Sequence, residues 1–276
     1  MNPVRPCDVV APDANTISPM PLLSAFILLA VVMFLLWLLS LALRDVSIVD
    51  IFWGSGFVLV AWFCYLTTDG FGARQLLITT LVTIWGLRLS IYLFWRNHGR
   101  GEDYRYQAMR KRIKNFPLVS LFLVFGLQGF LIWLISMPVM MAEASPTPAA
   151  LTWLDYTGLA LWLIGIFFES VGDWQLARFK ADPANKGKVM NHGLWAYTRH
   201  PNYFGDALLW WGIFLIALAT PDGWKTILSP LAMTILLLKI SGVALLEKSL
   251  THTKPAYAEY IRQTNAFIPW FPRKNA

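Results

Sequence analysis

The run Lys188–Asp206, K-V-M-N-H-G-L-W-A-Y-T-R-H-P-N-Y-F-G-D, gathers many of the side chains in this sequence that could hold a charged ligand. Gly193 and Pro201 punctuate it as a turn and then a helix start, since proline lacks the N–H that the first helical position leaves unpaired anyway. Free backbone N–H groups at such a start, with Arg199 and the helix dipole, predict an anion site suited to phosphate. Asn202 and Asp206, four residues apart, share a face just inside that helix, with Tyr203 beside them. Upstream, Glu169, Asp173 and Lys180 fall on one helical stripe, with Arg178 a short rotation away.

Further charged groups stand inside or at the edges of apolar runs: Asp50, Arg88 and Glu247, besides Glu169, Asp173 and Asp206. A charge at membrane depth is costly and usually faces the bundle interior or a wet cavity. All six fall near one end of their helices, which predicts a polar cavity open on that side and closed by apolar packing on the other. The plainer reading is that they snorkel or pair at the interface. Glu247, Thr251 and Lys254 at helical spacing, with His252, Tyr257, Tyr260 and Asn265, read either as the wall of a large polar ligand or as an amphipathic interfacial helix. No G-x-G-x-x-G follows a strand, and no P-loop, H-E-x-x-H or C-x-x-C is present. The four histidines are dispersed and the two cysteines, Cys7 and Cys64, form no framework, so neither a metal centre nor thiol redox chemistry is expected.

These groups must be positioned by membrane helices. The chain of 276 residues is 57% hydrophobic and only 14% charged, and Leu22–Leu43 supplies a charge-free run long enough to cross a bilayer. Apolar runs near 22–43, 47–67, 74–95, 116–141, 151–171, 203–220 and 225–246 predict an all-α polytopic membrane protein of about seven helices. The second run is interrupted by Asp50 and the sixth is short. Basic residues concentrate in loops 96–115 and 172–202 and in a tail 247–276, which the positive-inside rule places in the cytosol. Residues 1–21 then form an extracytosolic tail, and 22–276 a single membrane domain. The net charge of +7 reads as topology and contact with anionic lipid rather than nucleic acid.

The motif R-H-P-N-Y-F-G-D, preceded by N-H-G-L-W-A-Y and followed by A-Y-A-E-Y and F-I-P, resembles the steroid 5α-reductase and sterol reductase family. The likeness is most specific from Glu169 to Pro272. It reaches back more loosely through G-L-Q-G-F around Gln128 to V-D-I-F-W at Asp50. The resemblance implies an NADPH-dependent reductase of a carbon–carbon double bond conjugated to a ketone, in a monomer whose substrate is a 3-oxo-Δ4 steroid or similar enone lipid. It implies cofactor contacts from Asp173, Arg178, Lys180, Lys188, Tyr197, Arg199, His200, Asn202, Tyr203 and Asp206, with His252, Tyr257 and Tyr260 closing the site. It puts the substrate near Asp50, Trp53, Arg88 and Gln128, and the catalytic groups among Asp50, Tyr203 and Asp206. Where 5α-reductases carry a Gln-Glu pair near the substrate carbonyl, this chain has Asp50 with Trp53 one turn on. A carboxylic acid can donate to an enolate if apolar burial keeps it protonated, and Asp50 qualifies on position; Tyr203 is the other donor.

Membrane methyltransferases that use S-adenosylmethionine carry a similar R-H-P-x-Y-x-G segment, and Asn202 together with Asp206 directly after Gly205 favours the reductases over them. A transporter or lipid-binding scaffold would call for an inverted repeat, which the sequence lacks. A bacterial inner membrane is expected rather than the endoplasmic reticulum.

Overall fold

A computed structural model describes residues 20–240, 243, 247, 250, 251, 254 and 256–273. The described residues are helical, in the order α1 Met20–Leu43, α2 Ile48–Thr67, α3 Gly72–Asn97, α4 Tyr104–Arg112, α5 Phe116–Ser120, α6 Leu127–Ile135, α7 Met137–Ala144, α8 Trp153–Ala181, α9 Pro201–Leu218, α10 Leu228–Ile235 and α11 Tyr257–Gln263. A π-helical stretch, Leu121–Gly126, joins α5 to α6, and a second, Leu236–Ile240, continues α10.

Among the described residues, five segments are long and apolar enough to cross a membrane: Pro21–Leu43, Ile48–Thr67, Gly72–Asn97, Phe116–Ile135 and Trp153–Ala181. Of the other two expected runs, α9 has only 18 residues and lies largely inside the bundle, where neighbouring helices rather than lipid cover it. The last begins as α10 and passes beyond the continuously described residues. The loop expected over 172–202 begins only after Ala181, because α8 continues through its first ten residues. Within loop 96–115 the chain forms the short basic helix α4.

The all-apolar α1 shows how lipid sets the pattern. Ala25, Leu29, Met33, Trp37 and Ser40 form one buried stripe at helical spacing, while Leu23, Ile27, Val31 and Leu35 on the other side are exposed. Trp37 Nε1 donates to the Pro117 carbonyl at 2.8 Å and Trp133 Nε1 to that of Leu22 at 2.9 Å, pinning both ends of α1 to the α5–α6 span. Away from the basic loops, Thr152 and Asp155 form a capping box that starts α8. Asp155 also accepts from Arg74 of α3 at 2.8 Å, and this ion pair is fully buried.

Two seams of glycine draw helices together. On antiparallel α8 and α9, Gly158 faces Gly212, Gly165 faces Gly205, and Gly172 faces Pro201 and Asn202. A Cβ on Gly165 would stand 2.6 Å from the Gly205 carbonyl and 2.7 Å from the Leu209 N. Gly54 of α2 and Gly86 of α3 make the same kind of approach. Small residues at such contacts let backbones pack closely, the main source of helix association where lipid removes the hydrophobic drive.

Because the atoms facing Gly165 are backbone and cannot swing aside, Gly165→Ala is expected to cost about 1–3 kcal/mol. Gly72→Ala, with no atom within 4 Å of the added Cβ, should leave stability unchanged. Thermal unfolding of both variants in one detergent checks the contrast, and equal melting temperatures would refute the seam's importance.

Candidate functional site

The α8–α9 seam sets Glu169 and Asp173 against Asn202 and Asp206. Arg88 crosses from α3 to join them: Nη1 donates to Glu169 Oε1 at 2.5 Å and Nη2 pairs with Asp173 Oδ2. Asn202 Nδ2 donates to the other Asp173 oxygen at 3.0 Å. Glu169 and Asp173 are buried. Glu169 Oε2 and Asn202 Oδ1 are buried acceptors without a protein partner, and the indole N–H of Trp85 faces the Asp206 carboxyl. One guanidinium thus pairs with two carboxyl groups, and a third, Asp206, stands near enough to feel its charge. Burying unpaired charge costs far more than burying a hydrogen-bonded neutral group, so the cluster can hold a proton, or accept donors from a ligand, within the membrane domain.

One turn deeper, Phe57, Trp85 and Trp210 pack with ring centroids 4.9–5.3 Å apart. This buried aromatic layer separates the polar cluster from the far end of the bundle.

Toward the basic end the cluster opens into connected hollows. One, of about 430 Å³, is lined by Tyr92, Arg96, Arg100, Asp173, Asn202 and Tyr203 among others. A second, of about 360 Å³, adjoins it through Lys180, Trp195 and His200 and adds Lys186, Arg199, Lys254, Tyr257 and Tyr260. A third, of about 490 Å³, again meets Arg96, Arg100 and Lys180 and lies under the Gly101–Gln107 stretch. Cations therefore crowd a cleft with aromatic walls, an arrangement suited to phosphates joined to ring systems. His200 and Tyr203 stack with centroids 5.4 Å apart, which holds the Tyr203 ring against the cleft wall.

Of the expected cofactor contacts, Asp173, Lys180, Arg199, His200, Asn202, Tyr203, Tyr257 and Tyr260 line these hollows, and Asp206 lies half-buried behind them beside the Arg88 cluster. Arg178 is exposed and lies over the Trp174 ring, Lys188 is exposed outside the hollows, and Tyr197 is exposed against Phe271. His252 lies outside the described residues.

Two expectations are corrected. Arg199 is not a free phosphate ligand: its Nε donates to Glu247 Oε1 at 2.8 Å and its Nη1 to the Thr264 carbonyl at 2.5 Å. His200 Nε2 shares the same Glu247 oxygen at 3.1 Å. Burial pushes the Glu247 carboxyl up, but hydrogen bonds from His200 and Arg199 outweigh it and hold the group down at about 2. Asp50 is not in apolar surroundings either. Its Oδ2 accepts from Arg105 at 2.7 Å, and its Oδ1 accepts from the Tyr106 hydroxyl at 2.7 Å and from Gln128 Nε2 at 3.2 Å. This carboxyl anchors α4 over the start of α2. Trp53 packs edge-on against Phe57, and Arg88 belongs to the carboxyl cluster.

Arg96, Arg100 and Trp195 are the site residues that sequence reasoning missed. The two arginines look like topology charges until the fold brings their loop beside Lys180, and Trp195 is buried with its Nε1 donating to the Gly172 carbonyl at 3.0 Å.

Residues 36–264 match a protein family described as of unknown function, DUF1295. An uncharacterized protein of Schizosaccharomyces pombe is 27% identical over 206 residues, which is 65% of this chain and 60% of the relative's length. The chain therefore spans less than two thirds of that curated relative. No solved structure matches. The matched region contains the whole Arg88 cluster and Asp50.

Arg88→Met would leave Glu169 and Asp173 buried without a counter-ion and is expected to cost about 3–5 kcal/mol. Adding Glu169→Gln and Asp173→Asn should restore most of that loss in thermal unfolding. For Glu247, a depressed folded value means its contribution is complete above the ordinary carboxyl value of 4.5 and is lost as pH falls toward about 2. Pepsin cleavage of the 256–273 segment, normalised to an unfolded substrate, should rise through that window in the wild type. In Glu247→Gln it should be high throughout.

Proposed function

The chain belongs to the DUF1295 family of proteins of unknown function, and from that premise and the site we propose an NADPH-dependent membrane reductase. Its substrate is a 3-oxo-Δ4 steroid or a similar enone lipid that enters from the bilayer. The observation that carries this reading is the cleft in which Arg96, Arg100 and Lys180 converge above the buried Asn202–Asp173–Arg88 cluster.

The residues present fit a phosphorylated dinucleotide. Arg96, Arg100, Lys180 and Lys254 would neutralise its phosphates from the cytosolic side, a task to which guanidinium and ammonium groups are suited without any Rossmann fold. Asn202 Oδ1, buried and unpartnered, would accept from the carboxamide of its nicotinamide ring. When bound, NADPH supplies the hydride that ends on the β-carbon of the enone.

The chain's own part is to place the ring, exclude water and deliver a proton. The aromatic layer of Phe57, Trp85 and Trp210 keeps the reacting end dry on its inner side. Tyr203, which lines the cleft with its ring stacked on His200, is the donor assigned to the enone oxygen in this reading. Asp50 is an acceptor for three donors and acts by holding α4 in position rather than as the acid. A preorganised donor at the developing enolate is worth roughly 3–4 kcal/mol of barrier. The proton finally rests on the α-carbon, so the balance is two hydrogens added across the double bond and one NADPH oxidised.

The runner-up cofactor, S-adenosylmethionine, carries a net positive charge and no phosphate, so a cleft crowded with cations disfavours it. Purified protein in detergent should consume NADPH absorbance only when an enone steroid such as progesterone is present. Tyr203→Phe should lower turnover by about 100-fold or more with the NADPH affinity kept. Binding of S-adenosylmethionine with none of NADPH would overturn the reductase reading.

A further inference from the structure

The stretch after α11 exposes Ile268, Trp270 and Phe271 to 65%, 66% and 74%, on a backbone that is held firmly. Trp270 N donates to the Tyr197 carbonyl at 2.9 Å, Arg199 N to that of Asn265 at 2.9 Å, and the Thr198 hydroxyl to that of Phe267 at 2.8 Å. Tyr197, itself 42% exposed, packs edge-on against Phe271. The segment thus presents a rigid, mostly aromatic ridge with Arg273 following it.

Its depth says what covers it. Exposed tryptophans on the bundle fall into two sets toward opposite helix ends: Trp95 and Trp174 toward the basic end, Trp62, Trp153 and Trp224 toward the other. Trp153 and Trp174 are 21 residues apart on α8, about 31 Å of helix, the thickness of a hydrocarbon core. Such pairs of aromatic belts mark the two membrane–water interfaces. The ridge is bonded to Tyr197, four residues before α9 enters the bundle at Pro201, and so lies at the level of the basic-end belt.

We infer that Ile268, Trp270 and Phe271 insert into the headgroup–acyl boundary of the membrane, with Arg273 among the phosphates, and that this anchors the strand holding the Arg199–His200 loop. The partner is the phospholipid surface. The anchor lies outside the region matched to the family, which ends at residue 264. Lipid then steadies from one side the segment that is bonded to Tyr197, Thr198 and Arg199, while Glu247 holds Arg199 and His200 from the other.

Site-directed spin labelling tests it in phospholipid vesicles. In a Cys7→Ser, Cys64→Ala background, Phe271→Cys carries the label, with Lys111→Cys on α4 as the aqueous reference and Phe122→Cys on the lipid-facing π-helical stretch as the buried one. The expected ratio of oxygen to water-soluble nickel collisions at 271 lies between the references and at least about threefold above that at 111. A ratio equal to that at 111 overturns the proposal, as does dipolar broadening between labels on two copies, which would assign the ridge to a protein interface. Independently, Trp270→Ser with Phe271→Ser should speed exchange of the Arg199 amide, which bonds the Asn265 carbonyl, about tenfold in vesicles, the loss of an anchor worth about 1.4 kcal/mol. Unchanged exchange would show that lipid does not hold the strand.

Discussion

Arg88 is the only formal positive charge that pairs with Glu169 and Asp173 among the described residues, and it does so from a helix that otherwise touches α8 little. At that depth a carboxylate without a partner would be neutralised by a proton or pull the helices apart to reach water. The bridge therefore fixes the spacing of α3 against α8 at the basic end, as the buried Arg74–Asp155 pair does at the other end. Between the two ion pairs the helices are free to diverge, and the aromatic layer of Phe57, Trp85 and Trp210 fills what lies between them.

The bridge works only because the glycine seam brings α9 within reach. Gly205 lies against Glu169, so Asn202 and Asp206, one turn before and directly after it, face the carboxyl groups of α8. Bulkier side chains along the seam would push α9 outward and part Asn202 from Asp173. The polar cluster and the small-residue seam are thus two parts of one constraint: close backbone approach permits the buried charges, and the buried charges select the register of that approach.

Much of the helical framework was legible beforehand, because lipid imposes a length and an apolarity that sequence states directly. The start of α9 at Pro201 and the collection of Asp50, Arg88, Glu169, Asp173 and Asp206 toward one end were both expected and are both found. What sequence did not reveal is who pairs with whom. Arg199 meets Glu247 across 48 residues and Asp50 meets Arg105 across 55, contacts that no local spacing encodes. The glycines were equally silent, since a glycine in a membrane helix means close packing only when a partner helix brings its own glycine to the same level. Arg96 and Arg100 were read as topology charges, and the fold gives them a second role by turning their loop over Lys180.

That double role follows from a general asymmetry. Arginines that keep a loop on one side of the membrane must remain in water or at headgroups, so they ring the mouths of the bundle at that side alone. Helix ends at the same side leave backbone groups that also need polar partners. Any gap between those ends becomes a cationic, aromatic-walled cleft, with carboxyl groups admissible only beneath it where a guanidinium can reach them. In this chain the gap lies between α3, α8 and the start of α9, and Lys180, at the end of an α8 that runs ten residues past its apolar stretch, lines all three adjoining hollows at its mouth. The crowding of cations at the basic mouth and the buried carboxyl groups one turn below it are therefore consequences of the same rule, and the anion site and proton donor proposed above rest on both.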